Sequence, residues 1–220
     1  MPGFELIGKE EQEAVNQIFN DGGILFAHGF DALRRNYHVR EFEAMSVEYF
    51  ECNHALAVSS GTAAIKVALK ALGGKPGDEV ITPCLNFGTA LSSIMLNNLK
   101  PILIDCEVDT LQIDINKIEQ KISKKTKALL IPNLIGNIPD WKKIRRIANK
   151  HKLMVIEDSA DTLGAKINNK ASGIYSDISI TSFYGSHIIS CAGNGGMLLT
   201  NNKNFLTKAK VLRSWGRMST

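Results

Sequence analysis

The sequence predicts an α/β domain built on a mainly parallel sheet, and three observations lead there. Seven short apolar runs, at residues 55–58, 79–82, 101–104, 128–131, 154–157, 177–182 and 197–200, have the length and bounding punctuation of buried strands. Segments of helical period lie between many of them, at 62–72, 89–97, 115–122, 140–151 and 204–212. Parallel strands need crossover connections, and helices are the usual crossovers, so the alternation implies about seven strands with helices on both faces. The third observation is size and balance: 220 residues, 44% hydrophobic and 22% charged, suffice for one sizeable core.

In chain order, a helix is expected over 10–19, stopped by Gly22-Gly23, and a second over 38–50. These two are expected on the outside of the sheet or against a partner subunit. The first strand runs into Ser59-Ser60-Gly61-Thr62-Ala63-Ala64, a small-residue turn that opens the helix at 62–72. A Gly-Gly-Lys-Pro-Gly-Asp-Glu turn precedes the second strand, and Asn137-Ile138-Pro139 precedes the helix at 140–151. Asn201-Asn202 separates the last strand from the last helix. No repeat, linker or low-complexity tract divides the chain, so residues 1–220 read as one large domain.

The charge balance of 26 basic against 22 acidic residues, +4, is spread along the chain and does not argue for nucleic acid. No apolar run approaches the roughly 18 residues of a membrane span, and the N-terminus lacks the basic and apolar regions of a signal peptide. The cytoplasm is therefore the expected compartment. Cys52, Cys84, Cys106 and Cys191 form no ligand spacing with one another or with histidine, so the expectation is reduced core thiols, with no disulfide scaffold and no metal.

In open α/β sheets ligands bind beyond the carboxyl ends of the strands, so the residues after each strand carry the functional argument. The Gly61 turn is either a phosphate cradle, with free N–H groups and a favourable helix dipole, or a plain Ser/Thr N-cap. Phe87, after the second strand, is either a ring that stacks on a planar ligand or a core residue. Glu157-Asp158-Ser159-Ala160-Asp161 puts three acids at the end of the fifth strand, for ligand binding or for helix capping. Ser182-Phe183-Tyr184-Gly185-Ser186-His187, with the glycine-rich return at 193–196, offers an acid/base histidine or a structural one. His28, His38, His54 and His151 read as structural or surface residues.

In this order and spacing the segments SSGTAA, GDEVITP, KTKALLIPNLIGN, VIEDSAD, SFYGSH and LRSWGR resemble the DegT-type family of nucleotide-sugar aminotransferases and dehydratases, from about residue 6 to 217. That resemblance implies the large domain of the aspartate-aminotransferase fold and a pyridoxal or pyridoxamine 5′-phosphate cofactor. It further implies phosphate binding by Gly61, Thr62, Ala63 and Ser182, ring stacking by Phe87, and pairing of Asp158 with the pyridine nitrogen. A homodimer with the active site at its interface is implied as well.

At His187 the family's aminotransferases carry a lysine that binds the cofactor covalently. Histidine in its place resembles the nucleotide-sugar 3-dehydratase branch, as does Asp161 followed by Leu163-Gly164. The implied chemistry uses noncovalent pyridoxamine phosphate and His187 as the proton-transfer group. The implied substrate is a nucleotide-linked 4-keto-6-deoxy sugar on the way to a deoxysugar of a surface polysaccharide. No cysteine follows Arg217, which favours the version that uses glutamate as amino donor over one with an iron–sulfur centre. Asn194 stands where the family has glutamate, and the family's small C-terminal domain is expected to be missing from these 220 residues. A sugar aminotransferase homologue without its lysine, and a truncated non-catalytic relative, are the alternatives.

Overall fold

The computed structural model describes residues 3–21 and 37–217. The Gly22-Gly23 stop, His28 and residues 218–220 lie outside the described residues. A 3-10 turn (Gly3–Leu6) and helices α1 (Lys9–Asn20) and α2 (His38–Tyr49) precede the sheet. The strands are β1 (His54–Val58), β2 (Glu79–Pro83), β3 (Lys100–Ile104), β4 (Thr126–Pro132), β5 (Met154–Asp158), β6 (Lys166–Ile167), β7 (Lys170–Ala171), β8 (Ile178–Ser182) and β9 (Gly196–Thr200). Seven of them form one sheet in the order β1-β9-β8-β5-β4-β2-β3, and β6 pairs with β7 as a separate two-residue hairpin. β3, β2, β4, β5 and β8 run parallel, while β9 is antiparallel to both β8 and β1. The seven-stranded, mostly parallel expectation is met.

Side chains alternate across each strand, and the two faces bury different partners. Leu56, Val80, Leu130, Ile156, Ile180 and Leu198 face a cluster closed by Ala64, Ile65, Ala68 and Leu69 of α3 (Gly61–Ala71). Ile94 of α4 (Gly88–Leu96) and Ala209 of α7 (Lys203–Arg213) complete that cluster. Their neighbours Ile81, Leu129, Ile131 and Val155 face Trp141, Ile144 and Ile147 of α6 (Trp141–His151). Toward the β1 end of this second face, Phe42 and Val47 of α2 pack against Ala55, Met197 and Leu199. Burial on both faces is why these strands read as unbroken apolar runs instead of alternating ones.

Two expectations change. The helix expected over 115–122 is a 3-10 turn (Ile115–Lys117) followed by one helical turn, α5 (Ile118–Lys121). Ile122 already turns extended and reaches the same core from outside the helix that Ile115 and Ile118 enter, so packing rewards a single turn. Of the cysteines, only Cys52 packs, half-buried, against a core cluster; Cys106 is half-buried, Cys84 and Cys191 are exposed, and all four are free thiols. α1 buries no residue, and leaves Val15 and Phe19 exposed. No helix among the described residues is long and apolar enough to cross a membrane.

Candidate active site

The carboxyl ends of the parallel strands open into one cleft of about 1000 Å³. Gly61, Thr62, Phe87, Asp158, Asp161, Ser182 and His187 all line it, contributed by four separate stretches of chain. Ala63 does not.

The start of α3 explains where Ala63 lies. Ser60 is the N-cap, and its Oγ accepts the Ala63 N–H at 3.0 Å. The cap occupies Ala63, while the N–H groups of Gly61 and Thr62 lie in the first turn, where no intrahelical acceptor exists. Glycine at 61 is required by close approach. A Cβ there would sit 2.8 Å from Ser182 Cβ, so the turn and the end of β8 are pressed together. A Cβ on Gly196 would lie 2.4 Å from the Ser60 carbonyl carbon, which places the start of β9 directly behind the turn.

Phe87 is 68% exposed, which removes the core reading. Asn86 orients its loop: Oδ1 accepts the Phe87 N–H at 2.7 Å and Nδ2 donates to Thr82 Oγ1 at 2.9 Å.

Asp158 ends β5 and is 8% exposed. Burial raises its pKa to about 6, with Asp161 and Glu157 adding to the rise, against the Ala160 N–H bond and the nearby His187, which oppose it. A carboxyl so placed gains from any cation set against it. Behind it Glu157 is fully buried, and burial pushes its carboxyl up too.

His187 is held through Nδ1, 2.7 Å from the Ala160 carbonyl oxygen and 3.8 Å from Asp161 Oδ1. A carbonyl only accepts, so Nδ1 carries the proton and the neutral ring keeps its lone pair on Nε2. The backbone around it is fixed from outside, because the Gly3 N–H donates to the His187 carbonyl at 2.7 Å. Asp161 also braces the neighbouring loop, since its Oδ2 accepts the Ile135 N–H at 3.3 Å, and Ile135 sits at φ 56°. A left-handed β-branched residue is strained, and this one lines the cleft.

The end of β4 is a contribution that sequence reasoning missed. Asn133 lines the cleft and joins four groups: Nδ2 donates to Glu157 Oε1, Ser159 Oγ and Thr162 Oγ1, and Oδ1 accepts Trp141 Nε1–H at 2.8 Å. Its N–H donates to the Asp158 carbonyl at 2.9 Å. The available signal was its place, one residue beyond a parallel strand. His151, in contrast, bonds Glu119 at 2.7 Å away from the cleft, as a structural histidine would.

A parallel α/β sheet whose cleft brings a helix start, an exposed ring and a buried carboxyl to one edge defines the large domain of a fold-type-I pyridoxal-phosphate enzyme. Residues 6–220 match the DegT/DnrJ/EryC1/StrS aminotransferase family, and the chain belongs to it. It is 39% identical over 176 residues to GDP-perosamine synthase of Caulobacter vibrioides, covering 80% of this chain and 47% of that protein. Among solved structures, an aminotransferase from Psychrobacter cryohalolentis superposes with TM-score 0.86 at 30% identity, over 93% of this chain and 50% of that one. The Escherichia coli GDP-4-keto-6-deoxy-D-mannose-3-dehydratase with bound hydrated pyridoxal phosphate gives 0.81 at 26%, over 94% and 51%. The chain spans about half the length of the curated relatives it matches.

The family depends on pyridoxal phosphate, and the cleft fits that group. The N–H groups of Gly61 and Thr62 with the Ser182 hydroxyl suit a phosphate, Phe87 a ring face, and Asp158 a protonated ring nitrogen. No lysine is among the described residues that line the cleft.

Proposed function

We propose that this protein is a pyridoxamine-phosphate-dependent nucleotide-sugar 3-dehydratase acting on a 4-keto-6-deoxy nucleotide hexose. The observation that carries the reading is His187, seated in a cleft with no lysine among the described residues that line it, with Nδ1 committed to Ala160 and Nε2 left as the basic nitrogen. Bound pyridoxamine phosphate would supply an amino group for the 4-keto carbon and a ring that takes up an electron pair. Gly61, Thr62 and Ser182 would hold the phosphate, with Ala63 acting through the cap; Phe87 would cover a ring face, and Asp158 would keep the ring nitrogen protonated. With the cofactor and sugar bound, His187 would take a proton from C4′ through Nε2 and would give one to the C3 hydroxyl as it leaves as water.

Glutamate as amino donor and a homodimer belong to the same proposal. Exposed Phe4, Leu6, Val15 and Phe19 along the N-terminal turn and α1 offer apolar surface for a second copy. Guanosine-diphosphate sugars, named for several relatives, are the first substrates to try.

A second reading has support of its own: the similarity to GDP-perosamine synthase and to the Psychrobacter aminotransferase favours amino transfer to a sugar. Product mass separates the two. With pyridoxamine phosphate, glutamate and a 4-keto-6-deoxy nucleotide hexose, the dehydratase yields a product that has lost the C3 hydroxyl. An aminotransferase yields an amino sugar that keeps it. His187→Asn should retain cofactor and lose the 3-deoxy product; an unchanged rate in that variant overturns the assignment.

A further inference from the structure

A second cluster of nucleophilic groups lies at the rim of the cleft, apart from the residues assigned to cofactor and sugar. β2 and β3 run parallel with Pro83 opposite Ile104, and each leaves the sheet toward a cysteine. Cys84 follows β2 directly, and its N–H donates to the Ile104 carbonyl at 2.7 Å, extending the ladder by one residue. Cys106 lies two residues beyond β3, pinned by a bridge to Ile113. Asp105 ties the two exits together: Oδ1 accepts the Cys84 thiol at 3.7 Å and the Cys106 N–H at 2.9 Å. Burial first, and with it the charge of the neighbouring Cys84 sulfur, push the Cys106 thiol up, against an opposing Leu85 backbone bond.

Cys84 stands opposite Asp105, with Cys106 one step further, and strands about 4.8 Å apart keep Cα atoms so offset within the roughly 4.4–6.8 Å that a disulfide spans. The regular alternation of faces ends with β3 at Ile104, and Asp105 Oδ1, shared by the Cys84 thiol and the Cys106 N–H, holds both cysteines at one edge. Cys84 is exposed and Cys106 half-buried, the arrangement of an attacking thiol and a resolving one.

We propose that Cys84 and Cys106 form a dithiol modification site that closes to a disulfide when it meets a low-molecular-weight disulfide such as oxidised glutathione. The Cys84 thiolate attacks one glutathione sulfur, the glutathione S–S bond breaks, and one glutathione thiolate leaves. The Cys106 thiolate then attacks the Cys84 sulfur of the mixed disulfide and expels the second glutathione. The protein gives up two electrons and two protons, and both glutathiones are reduced. The bridge encloses α4 and ties the loop that carries Leu85, Asn86 and Phe87 to β3. It draws nothing from the dehydratase reading.

The test exposes the reduced protein to oxidised glutathione near pH 8, then counts thiols by alkylation and maps the peptides by mass spectrometry. Of the four thiols, two should remain, with one cross-link joining Cys84 to Cys106 that dithiothreitol reverses. Cys106→Ser should stop at a glutathione adduct on Cys84, and Cys84→Ser should give no cross-link. Cys52→Ser and Cys191→Ser should change nothing. Four surviving thiols, glutathione on both cysteines with no cross-link, or a cross-link through Cys52 or Cys191 would overturn the proposal.

Discussion

Nδ1 of His187 stands 3.8 Å from Oδ1 of Asp161 while it donates to the carbonyl of Ala160, so backbone and carboxylate hold one edge of the ring and the other edge is left for chemistry. The backbone bond sets the tautomer, and the carboxylate supplies only charge. Asp161 is half-exposed, and an ion pair of that kind contributes roughly 0.2–1 kcal/mol. Asp161→Asn should therefore lower turnover by about fivefold at most, with cofactor affinity little changed, as steady-state kinetics and a cofactor titration would check. A loss of thousandfold would mean that Asp161 itself takes part in proton transfer.

Asp158 makes stability depend on pH. Its folded pKa of about 6 exceeds the ordinary aspartate value of 3.8, so between those values the folded state holds a proton that the unfolded state has released. Cofactor-free protein should lose stability as pH rises from about 4 to 6, by on the order of 3 kcal/mol. Asp158→Asn should flatten that profile and raise Tm at pH 7, while weakening cofactor binding. Thermal scans across pH 4–8 would show it, and an unchanged slope in the variant would refute the burial argument.

Gly61→Ala drives a methyl to within 2.8 Å of Ser182 Cβ. Overpacking of this sort costs about 1–3 kcal/mol. Because the α3 start must move away from β8, pyridoxamine phosphate affinity should fall about tenfold or more in a spectroscopic titration. Binding at unmodified strength would show that the phosphate sits elsewhere.

Trp141→Phe leaves the buried Asn133 Oδ1 without the indole donor. An unsatisfied buried acceptor costs roughly 1–3 kcal/mol, measurable as a lower urea midpoint. A change under half a kcal/mol would mean that water replaces the indole.

Ile135→Gly tests the strained position. Glycine reaches φ near 56° without Cβ conflict, so relief offsets the lost side-chain contacts, and stability should change by less than about 1 kcal/mol. A drop of several kcal/mol would show that the side chain, 70% exposed as it is, packs in solution.

Much of this molecule is legible in the chain because its determinants are local. Ile81, Leu129, Val155 and Ile156 announce strands buried on both faces, Ser60 and Asp140 announce helix starts, and any residue just past a parallel strand is a candidate for the cleft. Fold class, strand count and the set Gly61, Phe87, Asp158, Ser182 and His187 follow from such signals. Only the tertiary structure decided the rest, since the determining partners are distant in sequence. The need for glycine at 61 comes from Ser182, and the tautomer of His187 comes from a carbonyl 27 residues earlier. Asn133 becomes a hub because β4 and β5 pair in parallel and α6 crosses behind them. Cys84 and Cys106 share Asp105 because β2 and β3 end side by side, a pairing that no local preference encodes.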